Sequence, residues 1–86
     1  MITVTYEPDE LRALLAHTIR STRHSERWAR MHEQALRSRF MRKCTRERHE
    51  EALARWILLA NAERAMIRAV SRALTDAEKE ATRDAE

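Results

Sequence analysis

"EALARWILLANAERAMIRAVSRAL", residues 51–74, is the stretch that decides the fold, because its apolar residues recur at helical spacing along its whole length. We expect one face of this helix to hold the core and the interface of a homodimer, formed by Trp56, Ile57, Ile67, Val70 and Leu74. The apolar surface is then widened by Leu58, Leu59, Ala62, Met66 and Ala69. A helix this apolar is expected to pack both on its own chain and on a second copy.

The composition predicts an all-α single domain spanning residues 1–86. The chain of 86 residues has no glycine and a single proline, and it is dominated by residues that favour helices. A domain of this size buries a marginal core, and the single cysteine, Cys44, excludes an intrachain disulfide. Oligomerisation is therefore the expected compensation, with Cys44 a buried or inert thiol.

Towards the N-terminus, the sequence predicts two further helical segments. The first opens at Pro8, with Asp9 and Glu10 favourable in its first turn. The stretch STRHSE, residues 21–26, predicts a turn, with Ser25 as the N-cap of a second helix that runs to about Cys44. A single bent helix is the alternative.

Near residues 44–48, CTRER, the apolar residues move to a different side of the helix. This change predicts three helical segments in all, which form a helical hairpin or bundle. The apolar arc before it, with Leu36, Phe40, Met41 and Cys44, does not continue into the face after it, so we expect a break with Thr45 as N-cap. Thr75 and Glu78 resemble a capping box, and residues 76–86 are expected to be a solvated or frayed tail.

The first residues, ITVTY, alternate apolar and polar side chains and predict a short strand over residues 2–6. A lone strand leaves its backbone groups unpaired, so its expected partner is the same strand of a second copy. The alternative is an extended, frayed N-terminus.

Charge is concentrated in the middle of the chain. Residues 20–48 carry a net charge of +7, whereas residues 1–19 and 49–86 each carry −2. On the predicted second helix a basic side forms the candidate partner-binding surface, which consists of Trp28, His32, Arg39, Arg42, Lys43 and Arg46. Its expected partner is either a protein with an acidic surface or a nucleic acid. The alternative is that the basic middle pairs with the acidic ends of the same chain or of the second copy in a dimer.

No residue pattern points to catalysis, a metal or a cofactor. The histidines lack the i, i+4 spacing that holds zinc on a helix, and the pair Cys44 and His49 does not share a helix face. Without glycine, phosphate-binding glycine loops are excluded. No apolar run approaches the length of a membrane span, and no signal pattern opens the chain, so we expect a cytoplasmic protein without a membrane partner.

Residues 2–36 resemble the ribbon-helix-helix family of DNA-binding dimers, through ITVTY, ELRALLAHTI and SERWARMHEQAL in that order. The resemblance implies that Thr3 and Thr5 face the major groove and that the helix start near Ser25 offers backbone amides to a phosphate. In this alternative the protein is a transcriptional regulator or antitoxin.

The composition as a whole is similar to that of small phage and mobile-element accessory proteins, which inhibit a host protein by binding it. We therefore expect a non-enzymatic binding protein that regulates a protein target through its basic helical surface.

Overall fold

The computed structural model describes residues 6–85, and over this range the chain is an antiparallel helical hairpin. Helix α1 spans Pro8–Ala35 and helix α2 spans Lys43–Ala85, joined by a loop at residues 36–42. At about 1.5 Å per residue, α2 is roughly 65 Å long, which matches the 66 Å long axis of the molecule. The prediction of an all-α fold is confirmed. The prediction of three helical segments is wrong, because the described residues form two helices.

The two helices meet along a seam with the heptad spacing of a coiled coil. Buried and half-buried residues recur at alternating steps of three and four on both helices. They are Leu11, Leu15, Thr18, Thr22, Ser25, Ala29 and His32 on α1, and His49, Leu53, Trp56, Ala60, Glu63, Ile67, Val70 and Leu74 on α2. The helices run antiparallel, since Arg12 near the start of α1 lies 3.5 Å from Glu78 near the end of α2.

Helix α1 begins where the sequence predicts. Pro8 occupies its first turn, followed by Asp9 and Glu10. The backbone N–H of Glu7 donates to Glu10 Oε1 at 2.9 Å, which satisfies one of the free amides at the helix start. The expected helix opening at Pro8 is therefore confirmed.

The turn predicted at residues 21–26 is wrong, because α1 passes through this stretch without interruption. The hydroxyls of Thr18 and Thr22 each donate at 2.8 Å to the carbonyl four residues earlier, so they do not compete with the helix. Both threonines and Ser25 are buried against α2. Ser25 is therefore a mid-helix residue and not an N-cap.

The interruption expected near CTRER is present, but it lies earlier. Helix α1 ends at Ala35 and α2 starts at Lys43, so the loop precedes Thr45. The N–H of Arg46 donates to the Arg42 carbonyl at 2.9 Å, which makes Thr45 a residue of the first turn and not the N-cap.

Helix α2 then continues unbroken to Ala85. The Thr75 hydroxyl donates to the Ser71 carbonyl at 2.9 Å, so Thr75 does not cap a new helix. The expected tail is helical as far as Ala85, and nearly all of it is exposed. Of the predicted strand, residues 2–5 lie outside the described residues, and Tyr6 is in an irregular segment.

The core of the hairpin is small. Of the residues predicted to build it, Val70 is buried and Trp56, Ile67 and Leu74 are half-buried. Ile57 is exposed, so its placement in the core of the single chain is wrong: it lies beside the seam and not in it. Among the described residues, neither helix combines the length and apolar character that crossing a bilayer requires.

Candidate binding surfaces

The loop end of the hairpin, residues 36–48, forms a basic tip with six basic side chains and one acidic side chain. Five of the cations are exposed, namely Arg37, Arg39, Arg42, Lys43 and Arg48. Within the described part of the chain, the one salt bridge of the tip joins Arg37 to Glu33 at 3.9 Å. The tip therefore presents positive charge that the chain barely neutralises.

An aromatic side chain stands at the apex of this tip. Phe40 is 97% exposed, whereas its neighbour Met41 is half-buried. Cys44 is also exposed. The prediction that these residues share an apolar arc is wrong for Phe40 and Cys44. Phe40 lies in the loop and not on a helix, and Cys44 lies on the solvent-exposed side of the first turn of α2.

The loop is held in one shape by Arg46. Its guanidinium donates to the Leu36 carbonyl at 3.0 Å and to the Ser38 carbonyl at 2.6 Å. These carbonyls follow the end of α1 and have no helical partner, so Arg46 caps α1 from the first turn of α2. Arg46 is predicted to bind a partner, but both of its terminal nitrogens donate inside the chain.

Trp28 and His32 belong to a cluster of rings between the helices, next to the tip. Trp28 stacks on Trp56 with ring centroids 6.2 Å apart and an interplanar angle of 16°. His24 stands edge-on to both indoles, and His32 Nδ1 lies 2.8 Å from His49 Nδ1. The single basic stripe predicted for a continuous helix is therefore wrong, since Arg39 and Arg42 are loop residues.

The centre of the seam holds a buried polar pair. Ser25 is 1% exposed, and its hydroxyl lies 2.6 Å from Glu63 Oε1, where it donates to the carboxylate. The DNA-contacting role implied for Ser25 required a helix start at this position, and none is present. Thr3 and Thr5, the other implied DNA contacts, lie outside the described residues.

A row of arginines on α1 was missed by sequence reasoning. Arg20, Arg23, Arg27 and Arg30 are exposed on the side of the helix away from the seam. The predicted turn at residues 21–26 divided them between two segments, whereas the continuous helix aligns them. Their three- and four-residue spacing was the available signal.

Helix α2 also carries a second apolar stripe, here called the outer face, which α1 leaves open. Leu58 is 72% exposed, and Leu59 and Met66 are about half exposed. The small residues between and after them are likewise exposed, namely Ala62, Ala65, Ala69 and Ala73. The widening of the apolar surface predicted from the sequence is thus present on a side that α1 does not cover.

Within residues 6–85, no cluster of three or more histidine, cysteine or acidic side chains is arranged to hold a metal ion. Comparison with protein-family models, with curated proteins and with solved structures gives no match for this chain. The proposals below therefore rest on the physical properties of these surfaces.

Proposed function

We propose that the chain is a non-enzymatic binding protein, a homodimer of helical hairpins that regulates a protein target by docking its basic tip onto an acidic surface. The observation that supports this most directly is the tip itself, where the exposed ring of Phe40 lies close in sequence to Arg39, Arg42 and Lys43, none of which is in a salt bridge within the described residues. Aromatic and arginine residues dominate the energy of many protein interfaces. A partner that fits has an apolar pocket for Phe40 and carboxylates for Arg39, Arg42 and Lys43.

The fixed loop strengthens the case for binding at the tip. Arg46 ties two loop carbonyls to α2, with donor–acceptor distances of 3.0 and 2.6 Å. These bonds restrain the first half of the loop, which lowers the entropy that the loop loses when a partner binds it. Positive charge at the same end also speeds encounter with an acidic surface.

The surface area of the chain supports the dimer. The hairpin exposes 7405 Å², whereas a compact monomer of 10.2 kDa exposes about 5,300 Å². The excess, roughly 2,000 Å² per chain, is larger than the roughly 800 Å² that each partner buries in a standard protein interface. Its radius of gyration, 18.9 Å, is likewise larger than the roughly 12 Å of a compact domain of this length.

The outer face of α2 is the proposed interface with the second copy of the chain. Leu58, Leu59 and Met66 supply large apolar side chains, and the alanines between them allow close approach of two helices. The outer face begins about 15 Å along α2 from the last residue of the tip. Dimerisation there leaves both tips free for a target.

The test is a comparison of captured proteins between variants of the tip. The immobilised chain is exposed to a nuclease-treated lysate, and bound proteins are quantified for the wild type and for the triple variant Arg39→Gln/Phe40→Ser/Arg42→Gln. We expect at least one abundant partner to fall about tenfold or more in the triple variant, as loss of interface hot spots implies.

The matched control removes two cations from the other end of the hairpin, Lys79→Gln/Arg83→Gln, and should retain that partner. Equal capture by the wild type and the tip variant would contradict the proposal. Partners that disappear on nuclease treatment alone would instead favour the alternative, a DNA-binding regulator.

A further inference from the structure

We infer that α1 carries a second binding site, independent of the tip, in which Arg20, Arg23, Arg27 and Arg30 bind the phosphate backbone of a nucleic acid. These four residues are called the arginine ridge below. Its steps of three, four and three residues keep the side chains on one side of an uninterrupted helix. The ridge rises about 15 Å along the axis, so its cations form a line and not a compact cluster.

The ridge has no counterion within the described chain. None of its four arginines is in a salt bridge there, although two glutamates lie close in sequence. Glu26 pairs with Arg64 at 2.8 Å, and Glu33 lies 3.9 Å from Arg37. The nearby carboxylates are thus directed to α2 and to the tip.

Repulsion among the four arginines also points to an external anion. Like charges three and four residues apart repel each other on a helix surface, and the ridge contains such pairs at 20/23, 23/27 and 27/30. Glu26 lies three residues from Arg23 and four from Arg30, where it would offset part of this repulsion, but its carboxylate pairs with Arg64 instead. A polyanion lying along the ridge relieves all three repulsions together.

Part of the ridge encloses a depression suited to a phosphate group. Arg20, Arg23, Arg27 and His24 line a shallow cavity of about 230 Å³. His24 is fixed there, because its ring stands edge-on to Trp28 and Trp56 at centroid distances of 6.1 and 5.8 Å. Guanidinium groups match phosphate oxygens through paired N–H donors, and the imidazole N–H adds another donor.

The regular spacing of the four arginines favours a nucleic acid over an acidic protein as the ligand of this site. A duplex presents one negative charge per about 1.7 Å of its axis, and this regular array complements a straight row of like cations. The ridge also faces away from the seam, on the helix that does not carry the outer face, so the proposed dimer leaves it open. The tip differs, since it adds an exposed aromatic anchor to its cations.

The experiment measures binding of a fluorescent, random-sequence DNA duplex of about 20 base pairs between roughly 50 and 200 mM salt, by anisotropy. The test variant is Arg20→Gln/Arg23→Gln/Arg27→Gln/Arg30→Gln, in which glutamine preserves helix propensity. We expect the slope of log affinity against log salt to become shallower by about 3.6 and the affinity at low salt to fall more than tenfold.

The matched control removes the same charge from α2, through Arg68→Gln/Arg72→Gln/Lys79→Gln/Arg83→Gln, and should keep most of the slope. Circular dichroism verifies that both variants remain helical. Absence of duplex binding by the wild type at low salt would overturn the inference, as would an equal loss in the control.

Two more arms separate this site from the tip and from a protein ligand. If Arg39→Gln/Arg42→Gln reduces the slope and the ridge variant does not, the polyanion binds the tip and the inference fails. If polyglutamate displaces the duplex at equal charge concentration, the ridge recognises carboxylates and the inference also fails. Loss of duplex binding in the ridge variant with unchanged capture of the protein target would support both sites separately.

Discussion

A serine hydroxyl and a glutamate carboxylate face each other in the middle of the seam, where an apolar contact would suit a coiled coil equally well. Both side chains are buried, and the short distance between Ser25 Oγ and Glu63 Oε1, 2.6 Å, is typical of a hydrogen bond to a charged acceptor. A buried carboxylate is costly without such a donor. The pair therefore links α1 to α2 by a hydrogen bond in the middle of the seam.

Removal of the donor alone should destabilise the hairpin. Ser25→Ala leaves the Glu63 carboxylate without its hydroxyl partner, and we expect a loss of about 1–3 kcal/mol in the free energy of unfolding. The measurement is urea unfolding followed by circular dichroism at a fixed protein concentration.

The double variant Ser25→Ala/Glu63→Met serves as the control for that change, because methionine fills a similar volume without a charge. It should recover most of the lost stability. A double variant less stable than Ser25→Ala would show that the hydrogen bond is not the origin of the effect.

At the scale of the residue, sequence reasoning identified the right positions but assigned several of them the wrong environment. Ser25 has the chemistry of a cap, but inside α1 its hydroxyl lies 3.1 Å from the Ser21 carbonyl and, at the shorter distance of 2.6 Å, from Glu63 Oε1 on α2. Phe40 has the chemistry of a core residue, and the position of the loop leaves it exposed. In both cases the deciding contact, or its absence, is set by residues distant in sequence.

At the scale of the element, the start of α1 was predictable and its length was not. Proline and acidic residues mark the first turn by local interactions, which a sequence displays directly. The continuation through residues 21–26 depends on the seam, where Thr18, Thr22 and Ser25 recur at heptad spacing. If small hydroxyl residues are accepted at seam positions, the heptad pattern continues through residues 21–26. The sequence then predicts one continuous helix and no turn.

The joint between the helices depends on one side chain, Arg46. Arg46→Lys keeps the charge but loses the planar guanidinium that reaches both the Leu36 and Ser38 carbonyls. We expect a loss of about 1 kcal/mol in unfolding free energy and faster cleavage by a protease within residues 36–42. Peptide mapping by mass spectrometry locates the cleavage.

Arg48→Lys is the matched control, since Arg48 is an exposed arginine in the same turn region without a described hydrogen bond to the loop. Its cleavage rate should equal that of the wild type. Equal rates in all three proteins would show that the loop does not need the Arg46 contacts.

At the scale of the whole molecule, the elongated hairpin leaves the outer face of α2 without a covering element. We expect sedimentation equilibrium to give a mass about twice 10.2 kDa for the wild type. Leu58→Asp/Leu59→Asp should shift the protein towards the monomer, because burying two carboxylates at an apolar interface is strongly unfavourable.

Asn61→Asp is the control for the dimer, because it adds a carboxylate to α2 outside the outer face while keeping an oxygen acceptor for Arg64. It should remain dimeric. A wild type that sediments as a monomer throughout the micromolar range would contradict the proposed dimer.

The helical class and the surplus of apolar surface on α2 could both be predicted at this scale, since they depend on composition and periodicity. The pairing of α1 with α2 along one seam could not, because a predicted turn at residues 21–26 divided α1. The arginine ridge was missed for the same reason.

The short connection between the helices also determines the order in which the molecule assembles. Seven loop residues separate α1 from α2, so contacts beside the loop close at the smallest cost in chain entropy. Isolated helices are only marginally stable in water. The hydroxyl-rich middle of α1 therefore gives this helix little stability until it packs against α2. Folding is thus expected to start at the loop end of the hairpin, near the contact between His32 and His49, and to proceed towards the chain termini. The basic tip proposed to bind the target is then complete first.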